Sequence, residues 1–179
     1  MKTLISLSLA LMAIGAIAAA GGAKGAENPE SPIGETKAVG TLDIGAVYLN
    51  PIEMEPHGID LAASKADIHL EADIHARKGN PNGFGAGEWV PNLTISYRLE
   101  NKDTGKKISG NLMPMVASDG PHYGSNIKML GTGNYHLTFH VDPPSKQGFG
   151  RHTDKATGVG PWFQPFNVDY DFSYVQKKK

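Results

Sequence analysis

The chain contains no cysteine, and this absence removes several kinds of metal and redox site. Blue-copper centres, iron–sulfur clusters and cysteine-ligated zinc sites need thiolate ligands, so none of them can form here. An exported domain without disulfides must instead be held together by its apolar core. About 150 mature residues suffice, because a domain of that length buries roughly two-thirds of its unfolded surface.

Excess charge of either sign is also missing: 17 basic and 18 acidic residues give a net charge of −1. The basic run at residues 177–179 is typical of a frayed, solubilising end. We therefore predict no positively charged groove of the kind that binds nucleic acid. The sequence also lacks a nucleophile motif, a phosphate loop and a nucleotide fingerprint, which argues against a hydrolase or a nucleotide enzyme.

The N-terminus has the pattern of a secretory signal peptide. A lysine at position 2 precedes an apolar run over residues 4–20, and small residues occupy positions 21–23. We predict a signal peptide over residues 1–23, cleaved after Ala20 or Ala23. A retained membrane anchor is the alternative, but the far side of the run carries no flanking charge. Because no cysteine follows to accept a lipid, we expect a periplasmic protein without a stable membrane anchor.

Residues 66–76 alternate apolar and polar side chains with the period of a half-buried β-strand. The apolar face is formed by Ile68, Leu70, Ala72 and Ile74. The polar face carries three carboxylates and two imidazoles, on Asp67, His69, Glu71, Asp73 and His75. Neighbours on one face lie about 7 Å apart, and these are donor types that bind divalent metals. The row indicates either a metal site or an acidic face exposed to water.

Turn residues separate this strand from further alternating segments. We predict strands over residues 42–49, 93–100, 108–116, 127–130, 135–141 and 166–174, with irregular segments at 77–88, 117–124 and 143–161. Tyr135 follows a glycine turn and precedes Leu137, as in the tyrosine corner of immunoglobulin-like domains. We therefore predict an all-β fold, an immunoglobulin-like antiparallel β-sandwich, with residues 24–179 as one domain.

The chain has seven histidines, and four of them suit roles other than metal binding. His57 lies in a Pro-Gly loop and is expected at the surface. His136 and His140 occupy the solvent side of a predicted strand, about 13 Å apart, which is too far to share an ion. His75 ends the polar row of residues 66–76, where we expect an accessory role.

The other three histidines and two further donors form the candidate metal site. His69 and Glu71 share one strand, Met115 lies at the end of another, His122 is expected in the turn after it, and His152 in the long loop. Each alone has an ordinary explanation, such as core packing for methionine or loop hydrogen bonding for histidine. As a set, imidazole and thioether favour copper, whereas the carboxylate admits iron or manganese.

Four sequence blocks resemble the periplasmic iron-transport protein family, also described as 19-kilodalton periplasmic antigens. The blocks are ADIHLEADIH at 66–75, NGFGAGEW at 82–89, MPMVASDGPHYG at 113–124 and RHTD at 151–154. The resemblance extends over residues 33–174, essentially the whole mature chain. It implies an immunoglobulin-like β-sandwich that forms a homodimer, binds copper and iron, and supports high-affinity iron uptake beside an inner-membrane iron permease.

The resemblance also implies a ligand set. Carried over position by position, the family's metal ligands fall on His69, Met115, His122 and His152, with Glu71 as an additional or alternative ligand. His152 is expected to serve either its own subunit or the partner. Some relatives are lipoproteins, and this chain departs from them because it lacks the lipid-accepting cysteine.

Dimer formation has a second, weaker argument in the sequence. The glycine-rich stretch 79–87 and the loop 143–161 exceed ordinary hairpin lengths, so they need contacts that order them. A partner subunit would supply such contacts.

We therefore expect a periplasmic copper- and iron-binding protein that delivers iron to a permease and is not itself an enzyme. Three alternatives remain open. One is a copper-dependent oxidoreductase acting on iron, which needs an open coordination position that the sequence does not reveal. The others are a copper-handling protein and an adhesion module without metal, the last being common among exported sandwiches.

Overall fold

The computed structural model describes residues 29–177, and within that range it contains nine β-strands, one short 3₁₀ helix and no α-helix. The strands are β1 (Ser31–Pro32), β2 (Lys37–Val39), β3 (Leu42–Leu49), β4 (Ile68–Ala76), β5 (Thr94–Asn101), β6 (Lys107–Ala117), β7 (Gly120–Ile127), β8 (Gly133–Asp142) and β9 (Phe166–Tyr174). The 3₁₀ helix Pro144–Gln147 follows β8. The predicted signal peptide, residues 1–23, lies outside the described residues.

The strands pair antiparallel and form two sheets that share β6. One sheet contains β1, β2, β3, β4 and β7, and the other contains β5, β8 and β9. β6 changes sheet at its middle, where Leu112 pairs with Ile95 of β5 and the next residue, Met113, pairs with Gly124 of β7. The predicted all-β, immunoglobulin-like sandwich is confirmed. No helix in the described range is long and apolar enough to span a bilayer.

The core lies between the two sheets and is filled by one row of side chains from each long strand. β4 and β8 contribute apolar residues that are at most 2% exposed, namely Ile68, Leu70, Ala72, Ile74, Tyr135, Leu137, Phe139 and Val141. Burying one large apolar side chain contributes roughly 1.5–3 kcal/mol. Only one face of each strand packs into the core, so apolar residues recur at every second position of β4 and β8.

Tyr135 forms the predicted tyrosine corner. Its hydroxyl donates to the carbonyl of Gly131 at 2.6 Å and accepts from the N–H of Leu130 at 3.0 Å. These bonds tie the turn before β8 to the strand itself, which confirms the role assigned to this tyrosine.

The hairpin between β6 and β7 is tighter than predicted. The sequence predicted a turn over residues 117–124 and a strand over 127–130, and both predictions are wrong. Only Ser118 and Asp119 form the turn, and of the predicted strand only Ile127 belongs to a strand. The other predicted strands agree with the structure to within two residues at either end.

Two residues explain this error. Ser118 and Asp119 alone form the turn, because Gly120 follows directly with a φ of 136°, a conformation that favours glycine, and already pairs with Ala117. Pro121, which suggests a loop, is tolerated in β7 because the pairing with β4 ends at Ala72 and Tyr123. The missing N–H of Pro121 therefore falls where β7 has no neighbour on that side.

The two long irregular segments contact each other. The side-chain amide of Asn82 donates to the carbonyls of Gly160 and Pro161 at 2.9 and 3.0 Å, and the N–H of Gly160 donates to the carbonyl of Pro81 at 2.7 Å. The segments therefore order each other within one chain. Their length is consequently no argument for a dimer.

Candidate metal centre

Three buried donors on two neighbouring strands converge on one point. Nε2 of His69 lies 3.5 Å and Nε2 of His122 lies 3.2 Å from the same atom, Oε1 of Glu71. One ligand atom from each residue lies within 4.8 Å of the other two. The exposed fractions are 0% for His69, 4% for His122 and 5% for Glu71. Between residues 29 and 177, no other group of three His, Asp or Glu side chains meets so closely.

Strand register explains why these side chains meet. His69 and Glu71 alternate with the core residues of β4, so both project from the face opposite the core. On β7, Gly124 pairs with Glu71 and Asn126 pairs with His69. His122 is two residues before Gly124 and shares its face. The sequence allowed the polar face of residues 67–75 to be either a metal site or a face exposed to water. The structure shows that this face is buried at His69 and Glu71.

Gly124 has no side chain, and the imidazole of His69 fills the space that a side chain there would need. A Cβ atom there would lie 2.4 Å from Nε2 of His69 and 3.3 Å from Sδ of Met115, so the thioether lies beside the imidazole. Met115 also pairs with His122 across the β6–β7 hairpin. The structure thus brings together four of the five predicted site residues: His69, Glu71, Met115 and His122.

Asn126 sets the orientation of His69. Its amide nitrogen donates to two backbone carbonyls at 2.9 and 2.8 Å, which identifies Oδ1 as the atom 3.1 Å from Nδ1 of His69. Since that oxygen only accepts, Nδ1 of His69 carries the proton and Nε2 presents its lone pair to Glu71. Asp60 accepts the backbone N–H of Asn126 at 2.6 Å and so holds this arrangement.

Burial controls the charge in the site. Burial lowers the pKa of His69 from 6.5 to about 4, and it raises the pKa of Glu71 from 4.5 to about 8. The negative charges of Asp73 and Glu30 raise the pKa of Glu71 further. At neutral pH the close approach of His69 and Glu71 is therefore a contact between neutral groups rather than an ion pair.

Nε2 of His69 and Nε2 of His122 are both buried without a hydrogen-bond partner. Such buried, unpartnered polar atoms are uncommon in folded proteins. A cation between these nitrogens and the carboxylate of Glu71 satisfies all three groups. Imidazole, thioether and carboxylate are also the donors that transition metals take, so the residues present fit a metal ion.

A cleft of about 210 Å³, partly open to solvent, lies over Glu71 and His122. Its other charged or titratable lining residues are Glu30, Asp73, His75 and Asp119. Burial raises the pKa of Glu30, and the charges of Asp73 and Asp119 raise it further. Carboxylates concentrated at such a mouth attract cations. His75, predicted to be accessory, lines this cleft rather than the buried cluster.

His152, the fifth predicted site residue, lies apart from the buried cluster. It is exposed in the loop after the 3₁₀ helix, and its Nδ1 is 2.8 Å from the hydroxyl of Thr157. Within one chain the structure therefore does not place His152 among the converging donors.

The histidines assigned other roles do not reach the site either. His57 is exposed, as predicted. Nδ1 of His136 lies 2.9 Å from Asp171, and Nδ1 of His140 lies 2.7 Å from Asn167, so both bond to the neighbouring strand β9.

Two residues of the site were missed by sequence reasoning. A glycine inside a strand often marks a close approach, but the sequence predicted a turn at Gly124, so this signal appears only once β7 is known. Asn126 carried none, since its role depends on the register that sets it opposite His69.

Known proteins are similar to this chain along almost its whole length. The family model described as Fe2+ transport protein matches residues 27–176. A UPF0423 protein from Brucella abortus is 54% identical over 147 residues, which cover 80% of this chain and 81% of that protein.

Two solved structures are similar to this fold. Copper-reconstituted P19 from Campylobacter jejuni is 62% identical with a TM-score of 0.82, and the match covers 84% of this chain and 99% of P19. FetP from uropathogenic Escherichia coli strain F11, expressed in the periplasm, is 62% identical with a TM-score of 0.81 and the same coverage, 84% and 99%. The resemblance seen in the sequence is thus confirmed, and the chain belongs to the Fe2+ transport protein family.

Proposed function

We propose that this protein binds copper and iron in the periplasm and supports high-affinity iron uptake. The observation that carries the proposal is the pair of buried, unpartnered nitrogens of His69 and His122 that face one oxygen of Glu71. A cation satisfies these atoms. Membership of the Fe2+ transport protein family supports iron as the cargo, and the copper-reconstituted relative P19 supports copper as the second ion.

The donor set suits both ions through different residues. The thioether of Met115 and the two imidazoles retain copper, whereas the carboxylate of Glu71 and the acidic cleft above it suit ferrous iron. Copper, when bound, supplies one-electron chemistry. The chain's own contribution is to fix His69 through Asn126, to exclude water from the buried cluster, and to admit cations through the cleft.

Binding can be measured directly. Titration with cupric ion, and anaerobically with ferrous ion, is expected to give tight binding to the intact chain and strongly weakened binding to His122→Ala. His57→Ala is the matched control, because His57 is an exposed histidine that is not among the converging donors. Equal affinities for both variants would refute the site.

The proposal includes a homodimer in which His152 of each chain serves the partner's site. The cleft over Glu71 and His122 gives another imidazole a route to the cluster, and His152 is exposed with no cluster of its own. Val116, beside Met115 at the tip of the β6–β7 hairpin, is 77% exposed, so this end of the hairpin is open to contact with a partner subunit.

Subunit mixing tests this arrangement. If His152 acts across the dimer, a mixture of His122→Ala and His152→Ala chains regains one intact site per heterodimer. If His152 acts within its own chain, both sites of the heterodimer remain defective and no copper binding returns. A monomeric mass for the metal-bound protein at micromolar concentration would contradict the dimer itself.

We further propose that iron passes from this protein to an inner-membrane iron permease and that the protein is not an enzyme. Growth under iron limitation, in a host that carries the permease, is expected to require the intact site and to fail with His122→Ala. Growth that depends on the permease but not on the site would refute the delivery step.

A redox or copper-handling role is the second candidate, and it is favoured by Met115, since thioether ligands select copper. Steady-state oxidation of ferrous iron that depends on bound copper would establish an oxidoreductase. Site variants that change copper tolerance but leave iron-limited growth unchanged would establish copper handling instead.

A further inference from the structure

The loop that carries His152 is built around the carboxylate of Asp154. Oδ1 of Asp154 accepts the backbone N–H groups of Ala156 and Thr157, both at 2.9 Å, and its carbonyl accepts the N–H of Gly158 at 2.9 Å. These bonds close a turn directly after His152. The loop therefore has a defined conformation although it is exposed.

The second oxygen of the same carboxylate is linked to His152 through one hydroxyl. Thr157 donates its hydroxyl proton to Oδ2 of Asp154 at 2.7 Å. Because a hydroxyl has a single proton, the Thr157 oxygen can only accept from Nδ1 of His152, 2.8 Å away. The chain of bonds thus places the proton of the neutral imidazole on Nδ1.

The backbone on the other side of the loop holds this arrangement in place. The N–H of Val159 donates to the carbonyl of His152 at 3.0 Å, and the guanidinium of Arg151 donates to the carbonyl of Val159 at 3.0 Å. Nε2 of His152 makes no hydrogen bond with any described residue. It is therefore a bare, exposed nitrogen on a fixed loop.

We propose that Asp154 and Thr157 are positioning residues that hold His152 in the Nδ1–H tautomer, so that its Nε2 is ready to bind a metal ion. The inference rests on the proposed function, in which His152 is a ligand in the partner subunit's site. A neutral imidazole in water favours the opposite tautomer, in which Nε2 carries the proton and cannot bind metal. Partners of this kind typically change metal affinity by about 10–100-fold.

The variant Asp154→Asn tests the direction of the bonds. Its amide oxygen can still accept the two backbone N–H groups, but its NH₂ group replaces the oxygen that Thr157 donates to. The hydroxyl must then donate to Nδ1 of His152, which puts the imidazole proton on Nε2. We expect copper affinity to fall by about 10–100-fold, with a similar fall for Thr157→Val.

Two variants serve as controls in the same loop. Thr157→Ser keeps the hydroxyl and is expected to keep copper affinity. Thr153→Val changes a neighbouring exposed threonine that makes no bond to His152, and it should also bind copper normally. A general disturbance of the loop would weaken both controls as well, which would overturn the assigned role.

A readout without metal makes the test independent of binding. Ring ¹⁵N chemical shifts of the metal-free protein at pH 8, assigned by their loss in His152→Gln, report which nitrogen carries the proton. We expect a bare Nε2 in the wild type and Thr157→Ser, and a protonated Nε2 in Asp154→Asn. Unchanged shifts in Asp154→Asn would overturn the proposal.

The ligand role of His152 itself is tested separately. If His152→Gln weakens copper binding but Asp154→Asn and Thr157→Val do not, the positioning role is wrong and the ligand role stands. If His152→Gln leaves copper binding unchanged, the ligand role in the proposed function is wrong, and the positioning role fails with it.

Discussion

Gly124 and His69 share one small space between neighbouring strands: a Cβ atom on Gly124 would stand 2.4 Å from Nε2 of His69. Real side chains do not approach so closely, and the backbone of Gly124 is not in the left-handed region that favours glycine. Glycine is therefore needed here for space and not for backbone conformation. Any side chain at this position must displace the imidazole.

We predict that Gly124→Ala weakens copper binding by about 10–100-fold, because the His69 ring must turn away from Glu71 to admit a methyl group. Titration of the purified variant measures the loss. Gly150→Ala is the control, since a Cβ there meets nothing within 4 Å. Normal copper affinity in Gly124→Ala would show that His69 adapts or does not bind the ion.

Asn126→Ala is predicted to affect stability as well as binding. The substitution removes the amide that serves two partly buried backbone carbonyls and the oxygen that bonds to the buried Nδ1 of His69. Leaving buried partners unsatisfied costs about 1–3 kcal/mol, which urea unfolding of the metal-free protein measures. Asn111→Ala, at an exposed position on β6, should leave stability nearly unchanged. Equal stability for both variants would contradict the structural role of Asn126.

The pKa values of Glu71 and His69 predict how the stability of the metal-free protein changes with pH. The pKa of Glu71 rises from 4.5 to about 8 on folding, so the native state holds the extra proton and stability falls as pH rises between these values. The pKa of His69 falls from 6.5 to about 4, so stability rises with pH between 4 and 6.5. Above pH 6.5 only the effect of Glu71 remains.

We therefore expect the metal-free protein to lose stability between about pH 6.5 and pH 8, and Glu71→Gln to remove this decline. Chemical unfolding at constant ionic strength measures both. A wild-type stability that stays level or increases over this range would contradict a buried, protonated Glu71. An equal decline in Glu71→Gln would assign the effect to other groups.

The fold was predictable because strand alternation and local turn signals agree. The apolar row of residues 66–76 faces the core, and Tyr135 makes the expected corner. The β6–β7 hairpin was not predictable, because a proline such as Pro121 indicates a loop when the pairing of the strand is unknown. His122 consequently belongs to a strand and pairs with Met115, rather than following it in a turn.

The candidate site was predictable only in part. Donor type and strand alternation single out His69 and Glu71. They do not show that this face of β4 is buried, because the burial depends on β7 and the segment before β4. The role of Asn126 depends on a register that no local pattern encodes. His152 shows a different limit: hydrogen bonds define its loop within the chain, but the imidazole is not among the converging donors of that chain.

The last prediction separates copper from iron by two neighbouring donors. Oε1 of Glu71 lies 3.2 Å from Nε2 of His122, and Met115 pairs with His122 on the other side. A carboxylate is a hard donor that iron prefers, whereas a thioether is a soft donor that copper prefers. The same imidazole thus lies between two donors of opposite preference.

We predict that Glu71→Gln, which keeps the shape but removes the charge, weakens ferrous iron binding more than copper binding, and that Met115→Leu does the reverse. Titration of both variants with each ion, anaerobically for ferrous iron, gives the four affinities. If Glu71 only balances charge in the cleft, its loss should weaken all metals alike. Equal losses for both ions in both variants would refute this division between the donors while leaving the site itself in place, since His122→Ala tests the site separately.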